Sequence, residues 1–219
     1  MDQPCGHIVQ LYGGDAALLL ERAGRFLGEG LALGEPALIV ATAGHCDDLL
    51  RRLAAGGHQP IGAIHDGFLS VSDAHEVLRA VMVGGAPDWA AFEGVLGHAV
   101  RALRGQTGAS RIRVYGEMLG ILWQAGQADA ALTLEEYWNR LLGEGTFSLF
   151  CSYPVDVLDD GLDAEALGPL LAAHSHVVSG GPSLEPQPPS HWVRKHFPDR
   201  ADAILERARR DPDSHRRAG

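Results

Sequence analysis

The chain has 219 residues, 46% of them hydrophobic, and a formal net charge of −10. That length and apolar share accommodate one large α/β domain with a short appendage and exclude a disordered chain. The acidic balance excludes an overall basic footprint for nucleic acid, so no direct nucleic-acid contact is expected. No run of 18 apolar residues offers a membrane span, and Met1–Cys5 lacks the basic-then-apolar pattern of a secretory leader. A cytoplasmic protein away from any membrane is therefore expected. Cys5, Cys46 and Cys151 are odd in number and widely spaced, which reads as separate buried thiols rather than a disulfide framework.

The first element is the apolar run His7–Tyr12, which ends in Gly13-Gly14. From Asp15 to Leu33, residues Ala16, Leu19, Leu20, Ala23, Phe26, Leu27 and Leu31 fall on one face of a helix. A nucleotide-binding α/β protein carries its phosphate loop at such a junction. That loop needs glycines to expose backbone N–H groups, a Lys on the outer phosphates and a hydroxyl on Mg²⁺. Here Asp15 stands at the start of the helix, where a carboxylate caps the helix and takes the anion position. The only Lys is Lys195, and neither Arg22 nor Arg25 has the spacing to replace it. The expectation is a degenerate phosphate loop in a non-catalytic binding module.

Further strands are predicted at Ala37–Thr42, Phe68–Asp73, Arg111–Gly116 and Phe147–Ser152, several of them near-continuously apolar, as in sheets covered on both faces. Helices are predicted over Asp47–Ala55, Asp73–Val83 with Asp73 as N-cap, Pro87–Arg104 opened by its Pro, Glu117–Ala125, Ala128–Leu142 and Asp163–Ser175. This alternation implies right-handed crossovers and a mostly parallel central sheet with helices on both faces. Residues 1–178 form the α/β domain in this reading, 179–190 a Pro/Gly-rich linker, and 191–219 a charged tail with one helix near Arg200–Arg210, ordered against a partner.

Open parallel sheets bind ligands beyond the C-terminal ends of their strands, at a topological switch point. The residues just past the strands are therefore the ligand-binding candidates: Tyr12, Asp15, Thr42, His45, Ser72, Tyr115, Glu117 and Tyr153. Glu117 is the sharpest of them, either gripping a ligand or cation, or capping the helix that follows. His45 and Cys46 are adjacent and lack ligand spacing, so no metal is expected there. His7 begins its strand at the opposite end and reads as a packed histidine. His174 and His176 read as an exposed pair. Cys151 reads as a buried, unreactive thiol. Trp89, Trp123 and Trp138 sit at core spacing. No GxSxG elbow is present and no cofactor set is legible.

The segments His-Ile-Val-Gln-Leu-Tyr, Gly-Glu-Pro-Ala-Leu-Ile-Val-Ala-Thr, Arg-Val-Tyr-Gly-Glu-Met, Leu-Glu-Glu-Tyr-Trp-Asn-Arg-Leu and Phe-Ser-Leu-Phe-Cys-Ser-Tyr-Pro occur in this order over about residues 5 to 158. Together they resemble the MEDS domain, the sensory domain named from methanogens, methylotrophs and a dichloromethane-responsive regulator. The resemblance implies a RecA-like three-layer sandwich without a working phosphate loop, with a C-terminal helical tail added here. It implies a prokaryotic signalling role, binding of a small hydrocarbon-derived ligand, and His7, Tyr12, Asp15, Gly116, Glu117, Trp138, Asn139 and Tyr153 as recurring positions. Relatives are often joined to a DNA-binding or histidine-kinase module. None is evident after residue 158, so the output is expected to be a separate histidine kinase or transcription regulator, with self-association possible by analogy of fold. The alternatives are a ligand-free interaction regulator and a divergent nucleotide-binding ATPase.

Overall fold

A computed structural model describes residues 6–13, 16–145, 147–156, 167–178 and 186–210. Among the described residues, six parallel strands form the central sheet: β1 (His7–Leu11), β2 (Ala37–Ala41), β3 (Leu69–Asp73), β6 (Ile112–Gly116), β7 (Phe147–Tyr153) and β8 (His176–Val178), in the order β3-β2-β6-β7-β1-β8. Every residue of β1, β2, β6 and β7 is buried, as expected of strands with helices on both sides. The five strands read from the sequence are present, with ends shifted by at most one residue. β8 was not read. Its three residues are too few to show a period, and it is recruited by pairing with β1, Val9 opposite Val177.

Two helices, α1 (Ala16–Ala32) and α2 (Ala43–Ala55), pack on one face. Leu19, Ala23, Phe26 and Leu27 of α1 and Leu49 and Leu53 of α2 meet Ile39, Ala41, Tyr115 and Phe150 there. The short helix α3 (Pro60–His65) follows, opened by its Pro. On the opposite face lie α4 (Ala74–Val81), α5 (Trp89–Phe92), α6 (His98–Thr107), α7 (Met118–Gln124), α8 (Ala128–Leu142) and α9 (Leu167–Ala172). They enclose the larger core around Leu38, Val40, Phe92, Val114, Leu134, Trp138, Leu149 and Leu170. The result is a three-layer sandwich.

Local chemistry explains where the elements depart from expectation. Asp73 does cap α4, accepting from the backbone N–H groups of His75 (2.9 Å) and Glu76 (3.0 Å). The helix expected from Pro87 starts later, because β4 (Met82–Val83) and β5 (Ala86–Pro87) form a hairpin. Gly84 and Gly85 turn it with φ of 62° and 89°, a backbone that favours consecutive glycines. Asp88 then caps the helix through the Ala91 N–H at 2.8 Å. Between α5 and α6 the helix widens into a π-turn at Glu93–Gly97. α2 begins at Ala43, four residues before the expected Asp47, so His45 and Cys46 belong to its first turn and not to a loop.

Of the helix expected at Asp163–Ser175, Leu167–Ala172 is described, and its beginning lies outside the described residues. Gln187 bridges to Val177, and α10 (Pro189–His196) and α11 (Ala201–Arg210) follow. Trp192, Val193, Ile204 and Leu205 are buried in the larger core, with α11 against α9. These helices pack against their own domain. No helix among the described residues is long and apolar enough to cross a membrane.

Candidate functional site

The connections from β2 and β6 part company at the sheet's C-terminal edge. β2 leads into α2 on one face, and its neighbour β6 leads into α7 on the other. Divergent connections open a crevice between adjacent strand ends, the switch point of an open α/β sheet. Thr42 and His45 reach it from β2, and Tyr115 and Glu117 from β6.

They converge on one carboxylate. Glu117 Oε2 accepts the Thr42 backbone N–H at 3.0 Å. Its Oε1 accepts the Tyr115 hydroxyl at 2.7 Å and lies 2.6 Å from His45 Nδ1. Glu117 is 5% exposed, so this triple pairing replaces its lost hydration. Glu117 does not cap its own helix α7 through its side chain. It instead stands at the N-terminus of α2, where the helix dipole favours an anion. The hydrogen bond to Glu117 outweighs burial and raises the His45 pKa, aided by the charges of Glu117 and Asp48.

Around this carboxylate the remaining acids are silenced. Burial and the Glu117 charge push Tyr12 up to about 12. Burial, then Glu117, raises Tyr115 well above its ordinary value. Burial pushes the Cys46 thiol up to about 11, and the thiol donates to the Ala41 carbonyl at 3.4 Å. None is an activated nucleophile.

Thr42, His45, Tyr115 and Glu117 are therefore brought together, and Tyr12 lies within their electrostatic reach. Ser72 meets the group through its backbone, its carbonyl 3.8 Å from Cys46 Sγ. Asp15 lies outside the described residues. Tyr153 does not belong here, because alternation along β7 sends its side chain to the opposite face, where its hydroxyl donates to Glu135 Oε1 at 2.6 Å. Two neighbours are not among the eight named candidates. Ser152 lies 3.4 Å from the Tyr115 hydroxyl. Gln10, opposite Ser152 in the β1–β7 register, is fully buried, and among the described residues neither atom of its amide has a hydrogen-bond partner. A polar residue inside an apolar strand was the available signal for both.

A second polar group lies on the α8–α9 side: His7 of β1, Glu135 of α8, Cys151 of β7 and His174 after α9. His174 is 5% exposed and its side chain is fully enclosed, which corrects its reading as half of an exposed pair. The HxH spacing places His176 at the start of β8, while His174 turns inward beneath α9. Burial favours the neutral form of Glu135, yet the adjoining His174 and His7 more than reverse this and hold its pKa well below the usual carboxylate range. Burial, reinforced by His174, pushes His7 down. Glu135 was missed because nothing distinguishes it from the solvated carboxylates of an amphipathic helix until α8 is packed. His7 and Cys151 are buried as expected.

Comparison with known proteins places these features in context. Residues 6–174 match the family described as MEDS: MEthanogen/methylotroph, DcmR Sensory domain. No curated protein matches the chain. Among solved structures, a KaiC-like protein, PH0186, from the hyperthermophilic archaeon Pyrococcus horikoshii OT3 is similar with a TM-score of 0.53 and 17% sequence identity, covering 84% of this chain and 76% of that one. That likeness shows the RecA-like three-layer fold.

Proposed function

The chain belongs to the MEDS family of sensory domains, and from that premise we propose that it binds a small ligand over the ends of β2 and β6 and reports to a separate signalling protein. The observation that carries this reading is the convergence of the Thr42 N–H, His45 and the Tyr115 hydroxyl on Glu117 at the switch point. This arrangement fixes the His45 ring through Nδ1 and leaves its Nε2 for a ligand. With its pKa raised, His45 suits a ligand that offers a hydrogen-bond acceptor. The unpartnered amide of Gln10 supports a polar contact at the same side of the sheet.

The function is non-catalytic in this reading. The thiol and phenols beside Glu117 are held in their protonated forms, and the only Lys is far along the chain at Lys195. A histidine kinase or a transcription regulator is the class of partner that a sensory domain addresses. A cytoplasmic setting agrees with the free thiols of Cys46 and Cys151.

A ligand that binds only the folded state raises its stability by mass action. The test is a thermal-shift and native mass-spectrometry screen of the full chain with ATP and with small halogenated and oxygenated hydrocarbons. The expected result is a shift with a small metabolite and not with ATP, and loss of that shift in Glu117→Gln. ATP turnover abolished by Glu117→Gln would overturn the non-catalytic reading. A shift that persists unchanged in that variant would move the ligand elsewhere.

A further inference from the structure

The group His7, Glu135, Cys151 and His174 has no part in the site proposed above. All four side chains are buried, and one ligand atom from each lies within 4.8 Å of every other. His7 Nε2 is 3.2 Å from Cys151 Sγ and 3.2 Å from Glu135 Oε2. His174 Nε2 is 3.2 Å from Glu135 Oε1. Four donors bonded to one zinc-sized cation at about 2.0–2.3 Å in a tetrahedron stand roughly 3.3–3.8 Å apart; the three 3.2 Å approaches match this, and the widest pair lies within 4.8 Å.

The outer contacts fix which nitrogen faces inward. His7 Nδ1 is 3.0 Å from both the Ala173 carbonyl and Asn139 Oδ1, and Asn139 is held in that orientation by donating its Nδ2 to the same carbonyl at 3.0 Å. His174 Nδ1 is 2.7 Å from the Leu170 carbonyl. Each Nδ1 faces only acceptors, so each carries the ring proton and each Nε2 turns toward the centre. Imidazoles that ligate metals are oriented in this way by backbone carbonyls and amides. Within the protein the centre is left unsatisfied. Among the described residues, Glu135 Oε2 and His174 Nε2 are buried without a hydrogen-bond partner, since their close approaches lack hydrogen-bond geometry. His7 Nε2 accepts the Cys151 thiol proton, but His174 Nε2 faces the carboxylate with its own proton on Nδ1, a contact that is unfavourable unless a positive charge lies between them.

We propose that His7 Nε2, His174 Nε2, Cys151 Sγ and one oxygen of Glu135 bind a divalent cation of the zinc class. The donor set selects this class. Two imidazoles and a thiolate disfavour Mg²⁺ and Ca²⁺, which require oxygen. Charge selects it as well, because two neutral imidazoles, a thiolate and a carboxylate with a dication sum to zero, which a fully buried site requires. On binding, the Cys151 thiol gives up its proton to solvent as its sulfur bonds the cation. The Tyr153 hydroxyl on Glu135 Oε1 then holds the carboxylate that supplies the fourth ligand. An open cleft of about 410 Å³ lined by His7, Asn139, Ala173 and His174 provides the approach. With four protein ligands, the centre is closed and structural, tying β1 and β7 to α8 and to the turn after α9.

The test uses the full chain, unfolded with chelator and refolded with Co²⁺ or Zn²⁺, so that burial cannot block entry. The expected result is one Co²⁺ per chain after desalting, with tetrahedral visible absorption and a near-ultraviolet thiolate-to-cobalt band, both erased by Zn²⁺. Cys151→Ser removes the thiolate band. His174→Gln weakens binding by more than the roughly 10–100-fold that outer-shell changes cost. Cys5→Ser, Cys46→Ser and the exposed His65→Ala leave the spectrum intact. The wild-type spectrum stands by itself if a cluster variant fails to fold. Substoichiometric metal on the refolded wild-type chain, or a cobalt spectrum indifferent to both Cys151→Ser and His174→Gln, overturns the proposal.

Discussion

The two polar groups of this domain solve the same problem in opposite ways. At the β2–β6 crevice, Glu117 is satisfied by a backbone N–H, a phenol and an imidazole whose side chain remains 28% exposed. Under α8 and α9, Glu135 is 1% exposed and faces two enclosed histidines, with one of its oxygens and one imidazole nitrogen unpartnered. The first group is complete as protein and keeps a face toward solvent. The second is buried and incomplete. An open, satisfied group suits reversible contact with something that comes and goes, whereas a closed, unsatisfied one suits a permanent occupant.

The contrast is broken most strongly by Glu135→Ala. It strands the Tyr153 hydroxyl in the core and removes the carboxylate beside two enclosed imidazoles, and breaking a buried charged group of this kind costs about 3–5 kcal/mol. Urea unfolding of the variant should show a correspondingly lower midpoint. Next in size is Gly120→Ala in α7, the helix that follows Glu117. An added Cβ would lie 2.5 Å from the Ser152 carbonyl oxygen and 3.0 Å from Pro154 Cδ. Overpacking there should cost about 1–3 kcal/mol by the same measurement.

Glu117→Gln keeps the shape of the crevice but withdraws the charge that accepts three donors. Its expected cost is at the lower end of about 1–3 kcal/mol, since the amide oxygen still accepts one of them. A loss as large as that of Glu135→Ala would erase the distinction between the groups. The finest test is in pH. His45 has a raised pKa in the folded chain, so its pairing contributes fully below the unfolded imidazole value of 6.5 and is lost as pH rises through the folded value. The stability difference between wild type and His45→Asn should therefore be largest on the acid side and shrink on the alkaline side. A difference that grew with pH would contradict the pairing.

The same contrast explains what could be read from the chain. The crevice was legible because β2 and β6 announce themselves as apolar runs, and fold topology places their next residues side by side. Thr42, His45, Tyr115 and Glu117 follow from that rule without any contact being known. The buried group runs from residue 7 to residue 174 and has no spacing motif. His7 and Cys151 read as ordinary core residues, and nothing in the sequence singles out Glu135 until α8 packs on the sheet. Tyr153 was misassigned for a related reason: its position at a strand end was clear, but the face it occupies depends on the pleat. The alternation of β7 sends Tyr153 to the side of Cys151, away from Ser152.

The last helices carry a consequence for cutting and joining this domain. The family match ends at residue 174, yet β8 pairs with β1 beyond that point, and Trp192, Ile204 and Leu205 lie under the surface against the α9 side of the core. A fragment trimmed to the matched region would bare the unpaired edge of β1 and an oily face around α9, and both invite stray association. As a portable part for a chimera, the unit therefore extends through Arg210, and its carboxyl-terminal attachment point lies beyond α11.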